Sequence, residues 1–452
     1  ARLNYDYADK YLVEISGRID GSTLLPSKNR WCVFPGVSLG WRISEESFIK
    51  DNVDLNFIDN LKLRASFGQL GSQTGLGYGI SYMSLASLSD KPNVALGSTL
   101  KRYLNIGSIP NEDLKWQYTN TYNIGFEAMF WKGLLGVEFD MFYSLTKRKI
   151  EAQSGSYPPS LGGYYSSLVN SGEHENKGFE LVLTHQNKIG EVDYSIKGNL
   201  SWARNKILKI NETTNVPNAK RLVGKPMGQY FGFVSDGLFQ SEEEIANSAV
   251  FGPTLPGDIK LVDINGDGKI TMEQDMVPIG RSNIPEMTYG LNLSANWKGF
   301  DFNAFFQGSA LFDVYLCGSY PGAGWVDDTF YTRPFYADGN APYYLVEGAW
   351  TPENRNAKYP RLSTEARLNG GKYSDWWVKN GTYIRLKNAQ IGYTLPDELT
   401  RKVGIEKVRA YVSGSNLFTL TGVKYFDPEM PNVNQGYYPQ QRVYEFGLNI
   451  TF

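Results

Sequence analysis

The segment Asp263-Ile264-Asn265-Gly266-Asp267-Gly268-Lys269 places oxygen-bearing side chains at alternate positions and then a glycine. Three such oxygens around one point, a sharp turn at Gly268 and an inward Lys269 carbonyl make the first half of a cage for a hard divalent cation, calcium or magnesium. The twelfth position of such a loop is Gln274, which cannot give a bidentate carboxylate, so Asp275 or Glu273 is expected to complete the set. The expected ligands are Asp263, Asn265, Asp267, the Lys269 carbonyl and Asp275. A structural site of weak affinity, about 0.1–1 mM, suffices for a loop bathed in extracellular ions. The competing reading is a turn held by Asx hydrogen bonds with no metal.

Aromatic pairs offer a second chemistry. Tyr164-Tyr165, Tyr343-Tyr344, Trp376-Trp377 and Tyr437-Tyr438 can stack on sugar rings or pack against a partner protein, because each brings a large apolar face with a polar tip. Loop-to-loop packing or an outer aromatic girdle competes with that reading. Asp327-Asp328 near Arg333, and Glu242-Glu243-Glu244, read as solvated loop charges rather than catalytic carboxylates. His174 and His185 are the only histidines, so His-based zinc sites and Ser-His or Cys-His catalysis lack raw material. Cys32 and Cys317 lie in unrelated segments and make no disulfide framework. With 45 Lys+Arg against 47 Asp+Glu, no charge excess points to nucleic acid.

The elements that would carry these residues are strands. The chain ends on Tyr444-Glu445-Phe446-Gly447-Leu448-Asn449-Ile450-Thr451-Phe452, with every second residue large and apolar. That alternation, closing on an aromatic, fits a lipid-facing strand whose Phe446, Leu448, Ile450 and Phe452 meet lipid while Glu445, Asn449 and Thr451 face a lumen. No run of about 18 apolar residues occurs, which excludes membrane-spanning helices. Aromatics make up 14% of the chain, as girdles at two membrane interfaces require. Alternating segments predict strands near 1–8 and 11–20, 34–43 and 60–69, 118–130 and 134–148, 175–187 and 191–206, 285–298 and 300–311, 382–395 and 406–419, and 441–452. A helical turn fits between the second pair. Long stretches rich in Gly, Pro, Asn, Ser and Tyr lie at 70–117, 149–174, 207–284, 312–381 and 420–440, too long for passive connections. In an outer-membrane barrel short turns face the periplasm and long loops the outside, so the 207–284 loop with its metal turn is expected outside. Thirteen strands is an odd number, whereas single-chain bacterial barrels have an even one, so an incomplete barrel lacking its earlier strands is expected.

Several blocks then resemble a known family. They are Tyr5-Asp6-Tyr7 with Lys10-Tyr11-Leu12, Arg18-Ile19-Asp20-Gly21-Ser22, Asn29-Arg30-Trp31, Phe34-Pro35 through Gly40-Trp41-Arg42, Leu61 to Gly68, Asn176-Lys177-Gly178-Phe179-Glu180, the 263–271 turn, Thr382 to Asn388, Gly392 to Pro396, Asn416 to Thr419, Asp427-Pro428-Glu429 and the terminal strand. In order and spacing the chain resembles the C-terminal half of a SusC/RagA-type TonB-dependent outer-membrane transporter. The resemblance implies an all-β fold, part of a 22-stranded transmembrane antiparallel barrel. It also implies a plug, a TonB-contacting segment and first strands that have no counterpart in 1–452, and a SusD-like lipoprotein lid over the loops at 149–174, 207–284 and 312–381. The function implied is import of oligosaccharides or oligopeptides across the outer membrane, without enzymatic activity. The alternative is a secreted all-β carbohydrate-active enzyme with a calcium loop.

Overall fold

The computed structural model describes residues 1–452 apart from 53–54, 77–85, 89–93, 103, 107–110, 153–167, 213–215, 317–342, 363–372, 425–426 and 430–439. Its main sheet has thirteen strands hydrogen-bonded in chain order: β1 Arg2–Tyr7, β2 Tyr11–Gly21, β3 Trp31–Arg42, β4 Ile58–Ser72, β5 Gln117–Phe130, β6 Leu135–Ala152, β7 Leu168–Ile189, β8 Val192–Lys209, β9 Met287–Trp297, β10 Phe300–Ala310, β11 Tyr383–Thr394, β12 Lys407–Thr421 and β13 Val443–Thr451. Every predicted strand is present. Neighbouring strands pair antiparallel from β1 to β6 and from β8 to β13, and β1 and β13 are the two edges of the sheet. The chain falls into two compact units, one of 1–184, 203–216 and 222–226, the other of 185–202, 217–221 and 227–452.

Within the first unit, register sorts residues onto two faces. One row across β1 to β6 reads Tyr5, Val13, Leu39, Ala65, Ile124, Met141. The adjacent row on the other face reads Asp6, Leu12, Gly40, Arg64, Gly125, Asp140. Because successive side chains of a strand point to opposite faces, the face of the first row is apolar here and that of the second carries charge and glycine. The second unit repeats this division. Phe446, Val412, Ile391, Phe302, Ala295 and Tyr194 form an apolar row, beside Glu445, Ser413, Gln390, Asn303, Ser294 and Ser195. Phe446 is 83% exposed and Ile124 62%. A row of exposed large apolar side chains is stable only against hydrocarbon or a partner surface.

Short connections are tight. Ala8 and Asp9 both have positive φ, at 56° and 55°, with the Lys10 N–H donating to the Tyr7 carbonyl at 3.0 Å, a tight turn inside a three-residue hairpin connection that pairs Tyr7 with Tyr11. Asp6 stabilises it by accepting the Asp9 N–H at 2.8 Å. The connection from β3 to β4 contains the predicted helical turn, a 3₁₀ turn at Ile43–Glu45 followed by α1, Ser47–Lys50. Glu46 between them accepts the Tyr11 hydroxyl at 2.7 Å, the Lys10 ammonium at 3.0 Å and the Trp41 indole N–H at 3.1 Å. These donors, led by Tyr11, hold its carboxyl down to about 2.

Strand boundaries differ from expectation on the side of the long connections. β7 begins at Leu168 rather than 175 and has 22 residues, where about ten, tilted, cross a bilayer. After Leu168 and Val169 the added residues, Asn170 to His174, are polar or glycine on both faces, so they carried no alternation to read. The long connections are also more ordered than their composition suggests. In the second unit, Phe233, Ile259, Ile270, Val314, Leu345 and Trp377 belong to one buried apolar cluster drawn from the 207–284 and 312–381 segments and the start of β11. Full burial of such side chains contributes about 1.5–3 kcal/mol each. In the first unit, Leu25, Phe34, Leu114 and Trp116 form a smaller cluster.

Candidate functional site: the long connections and the inner wall

The 263–275 segment folds as a nest of backbone donors around side-chain oxygens. Asp263 accepts the Gly266 N–H and the Gly268 N–H, one on each oxygen, both at 2.7 Å. Asn265 accepts the Asp267 N–H at 3.1 Å, and Asp267 accepts the Lys269 N–H at 2.9 Å. Gly266 and Gly268 sit at φ 75° and 82°, where a side chain would be strained. Asp275 is fully buried, and its two oxygens accept the Ile264 N–H at 3.0 Å and the Thr271 N–H at 2.7 Å. It therefore ties the entrance and exit of the turn together from beneath, while Ile270 anchors the turn in the apolar cluster. The Asx bonds of the competing reading are thus present. Each accepting oxygen keeps a second lone pair, so the bonds do not exhaust the donor set. Among the described residues no three His, Cys, Asp or Glu side chains converge as a metal-holding group.

The aromatic candidates part company. Tyr164, Tyr165, Tyr437 and Tyr438 lie outside the described residues, as do Asp327, Asp328 and Arg333. Trp377 is buried in the loop cluster and stacks on Tyr359, which in turn meets Tyr344, while Trp376 packs against the same cluster. These three serve loop-to-loop packing. Tyr343, one residue away on α3, Tyr343–Glu347, is 75% exposed.

Glu242 and Glu243 are exposed, as solvated charges should be, but with Glu244 they lie on a helix rather than a loop. They form the first turn of α2, Glu242–Ala246, where negative charge faces the positive end of the helix. Ser241 caps it by accepting the Glu244 N–H at 3.2 Å. Glu244 accepts the Gln240 N–H at 2.8 Å and pairs with Lys260, which together hold its carboxyl below the usual carboxylate range. The Ser-x-x-Glu spacing was a readable cap signal.

Sequence reasoning also missed a charged clamp on the inner wall. Arg385 of β11 is only 3% exposed; its guanidinium donates to Thr419 of β12 at 2.7 Å, to Asp427 at 2.7 Å and to Gln440. Lys387, two residues along the same face, meets Glu429 at 3.0 Å and Gln440 at 3.3 Å. The Arg385-x-Lys387 and Asp427-Pro428-Glu429 blocks, noticed separately, are thus the two halves of one contact. Both ends of the β12–β13 connection are pinned to the same two cations.

Within each unit an ion pair spans three strands over a glycine. Arg64 of β4 reaches Asp140 of β6 across Gly125, and also contacts Glu127. Arg409 of β12 reaches Asp301 of β10 across β11, its guanidinium donating at 2.7 and 2.5 Å. A Cβ on Gly392 would lie 2.5 Å from the Arg409 guanidinium and 2.6 Å from the Asp301 carboxylate. Only glycine leaves room for the bridge.

Residues 1–417 match the family described as TonB dependent receptor-like, beta-barrel. The chain belongs to this family of outer-membrane β-barrels. It is a family of receptors and transporters, not of enzymes. The chain is 30% identical to TonB-dependent receptor P26 of Formosa agariphila, over all of this chain and 45% of that protein. It is 25% identical to TonB-dependent receptor SusC of Bacteroides thetaiotaomicron, over all of this chain and 43% of that protein. It shares its fold with the RagAB peptide importer in a closed-closed state, with TM-score 0.75 and 23% identity over all of this chain and 47% of that one. The chain thus spans less than half the length of the relatives it matches. The expected SusC/RagA-type transmembrane barrel is the observed fold class.

Proposed function

We propose that this chain forms wall and outer loops of a SusC-like importer that carries oligosaccharides or oligopeptides across the outer membrane, working with a SusD-like lipoprotein lid and with TonB through a segment outside 1–452. The observation that carries this reading is the pairing of a polar inner wall with long connections folded around their own apolar cluster. A passive surface barrel has no need to build a second core in its loops. The RagAB neighbour is a peptide importer, which supports a peptide among the candidate cargoes. Tyr343 is the described aromatic best placed to meet cargo or lid. Deleting the gene should abolish growth on one class of oligomer while sparing its monomers, and a lipoprotein should co-purify with the full-length protein. Unchanged uptake of every oligomer tested would reject the importer.

We also propose that Asp263, Asn265, Asp267 and the Lys269 carbonyl hold a calcium or magnesium ion, with Asp275 fastening the loop beneath them. What supports it is a mixed oxygen set on a turn already ordered by backbone donors. Calorimetric titration with calcium should show binding near 0.1–1 mM, the range of extracellular modules, that Asp263→Asn weakens at least about tenfold. No heat change up to about 10 mM calcium would leave the Asx turn as the whole account.

A further inference from the structure

We propose that the outward face of β2 to β5 holds one acyl chain of a membrane phospholipid in a groove floored by Ala65. The row Val13, Leu39, Ala65, Ile124 crosses these four strands in register. Ala65 is its smallest member, and Leu39 and Ile124 on either side are both exposed, so the surface dips at β4. The dip belongs to a depression of about 470 Å³ that Tyr11 and Trp41 close at the end near the short turns. Arg64 borders it only from the sheet, because Asp140 and Glu127 engage its guanidinium on the other face.

The bilayer covers this face of an outer-membrane barrel, so the occupant is hydrocarbon rather than a soluble ligand. The two aromatic walls are fixed, since the Tyr11 hydroxyl and the Trp41 indole N–H both donate to Glu46. Amphipathic rings held this way stand at the level of lipid headgroups, and a chain entering between them would run down past Leu39 and Ala65. Two cations at this end are already paired, Lys10 with Glu46 and Lys50 with Glu45. The groove therefore selects the chain and not the headgroup.

The test is native mass spectrometry of the full-length protein purified in mild detergent and washed to remove annular lipid. Wild type should retain a phospholipid, equally when reconstituted with zwitterionic or anionic headgroups. Ala65→Phe and, from the neighbouring strand, Val13→Trp should lower retention at least about tenfold, the loss of roughly two buried methylenes. Heat-modifiable gel migration checks that each variant is folded. A wild type that keeps no phospholipid, or folded variants that keep as much as wild type, overturns the proposal. So does a variant that converts a dimer to a monomer without changing lipid content, which would assign the groove to a second copy of the chain.

Discussion

Replacing Arg385 by Met should release the β12–β13 connection while leaving the sheet assembled. Arg385 is 3% exposed and serves Thr419, Asp427 and Gln440 at once, so its removal leaves Asp427 without a cation, and Glu429 with Lys387 alone, in a site with little water. Removing one member of a buried pair costs about 3–5 kcal/mol. The partner carboxylates keep some access to solvent, with Asp427 and Glu429 side chains 14% and 16% exposed, which places the expectation at the lower end. About 3 kcal/mol corresponds to roughly a hundredfold rise in the opening equilibrium of the connection. Hydrogen exchange reads this directly: amides around Asp427 and Gln440 should lose about two orders of magnitude of protection in R385M, while those of β12 facing β13 should not change. Lys387→Met, with a more exposed cation, should cost about 1 kcal/mol. Adding Asp427→Asn to R385M should recover part of the loss, because Glu429 keeps Lys387 and no charge is then left unpaired. Protection within about threefold of wild type in R385M, or strict additivity in the combined variant, would refute the clamp.

Gly392→Val should prevent Arg409 from reaching Asp301 and reduce the yield of folded barrel, measured by heat-modifiable migration; Gly17→Val, where an added Cβ meets nothing within 4 Å, should fold normally. Glu46→Gln should lower the unfolding temperature at neutral pH. Because the folded carboxyl is depressed from 4.5 to about 2, the stabilisation is present above about 4.5 and is lost as pH falls toward 2, so the two proteins should converge in thermal melts near pH 2. Tyr343→Ala should leave the loop cluster and thermal stability unchanged while weakening cargo or lid binding, since the ring contributes exposed surface rather than core.

The strands were legible because lipid enforces alternation: Phe446, Leu448 and Ile450 had to be apolar whatever the loops did. Above the bilayer that constraint lapses, so Leu168 to His174 continues a strand with no periodic signal and its start went unread. Residues far apart in sequence were the second blind spot. Arg385 and Asp427 each stood in a recognisable block, yet nothing local says that they touch across 42 positions. The loop cluster was hidden for the same reason, as Phe233 comes from one long segment and Val314 and Trp377 from opposite ends of another. The metal turn was visible as a pattern, whereas the role of Asp275 as a fastener required its burial to be known.

The glycine-spanning bridges bear on how such a sheet finds its register. Slipping one strand by a single residue exposes the error at once, since every side chain changes face. A slip of two residues does not: lipid-facing residues stay lipid-facing and the alternation is satisfied. At β5 such a slip would bring Asn123 or Glu127 to the place of Gly125, under the path between Arg64 and Asp140. The bridge could not close, and a cation and a carboxylate would be left apart on the wall. Arg64 with Gly125, and Arg409 with Gly392, thus act as a parity check of higher order, discriminating between registers that hydrophobicity alone scores as equal while the strands are still being stitched together.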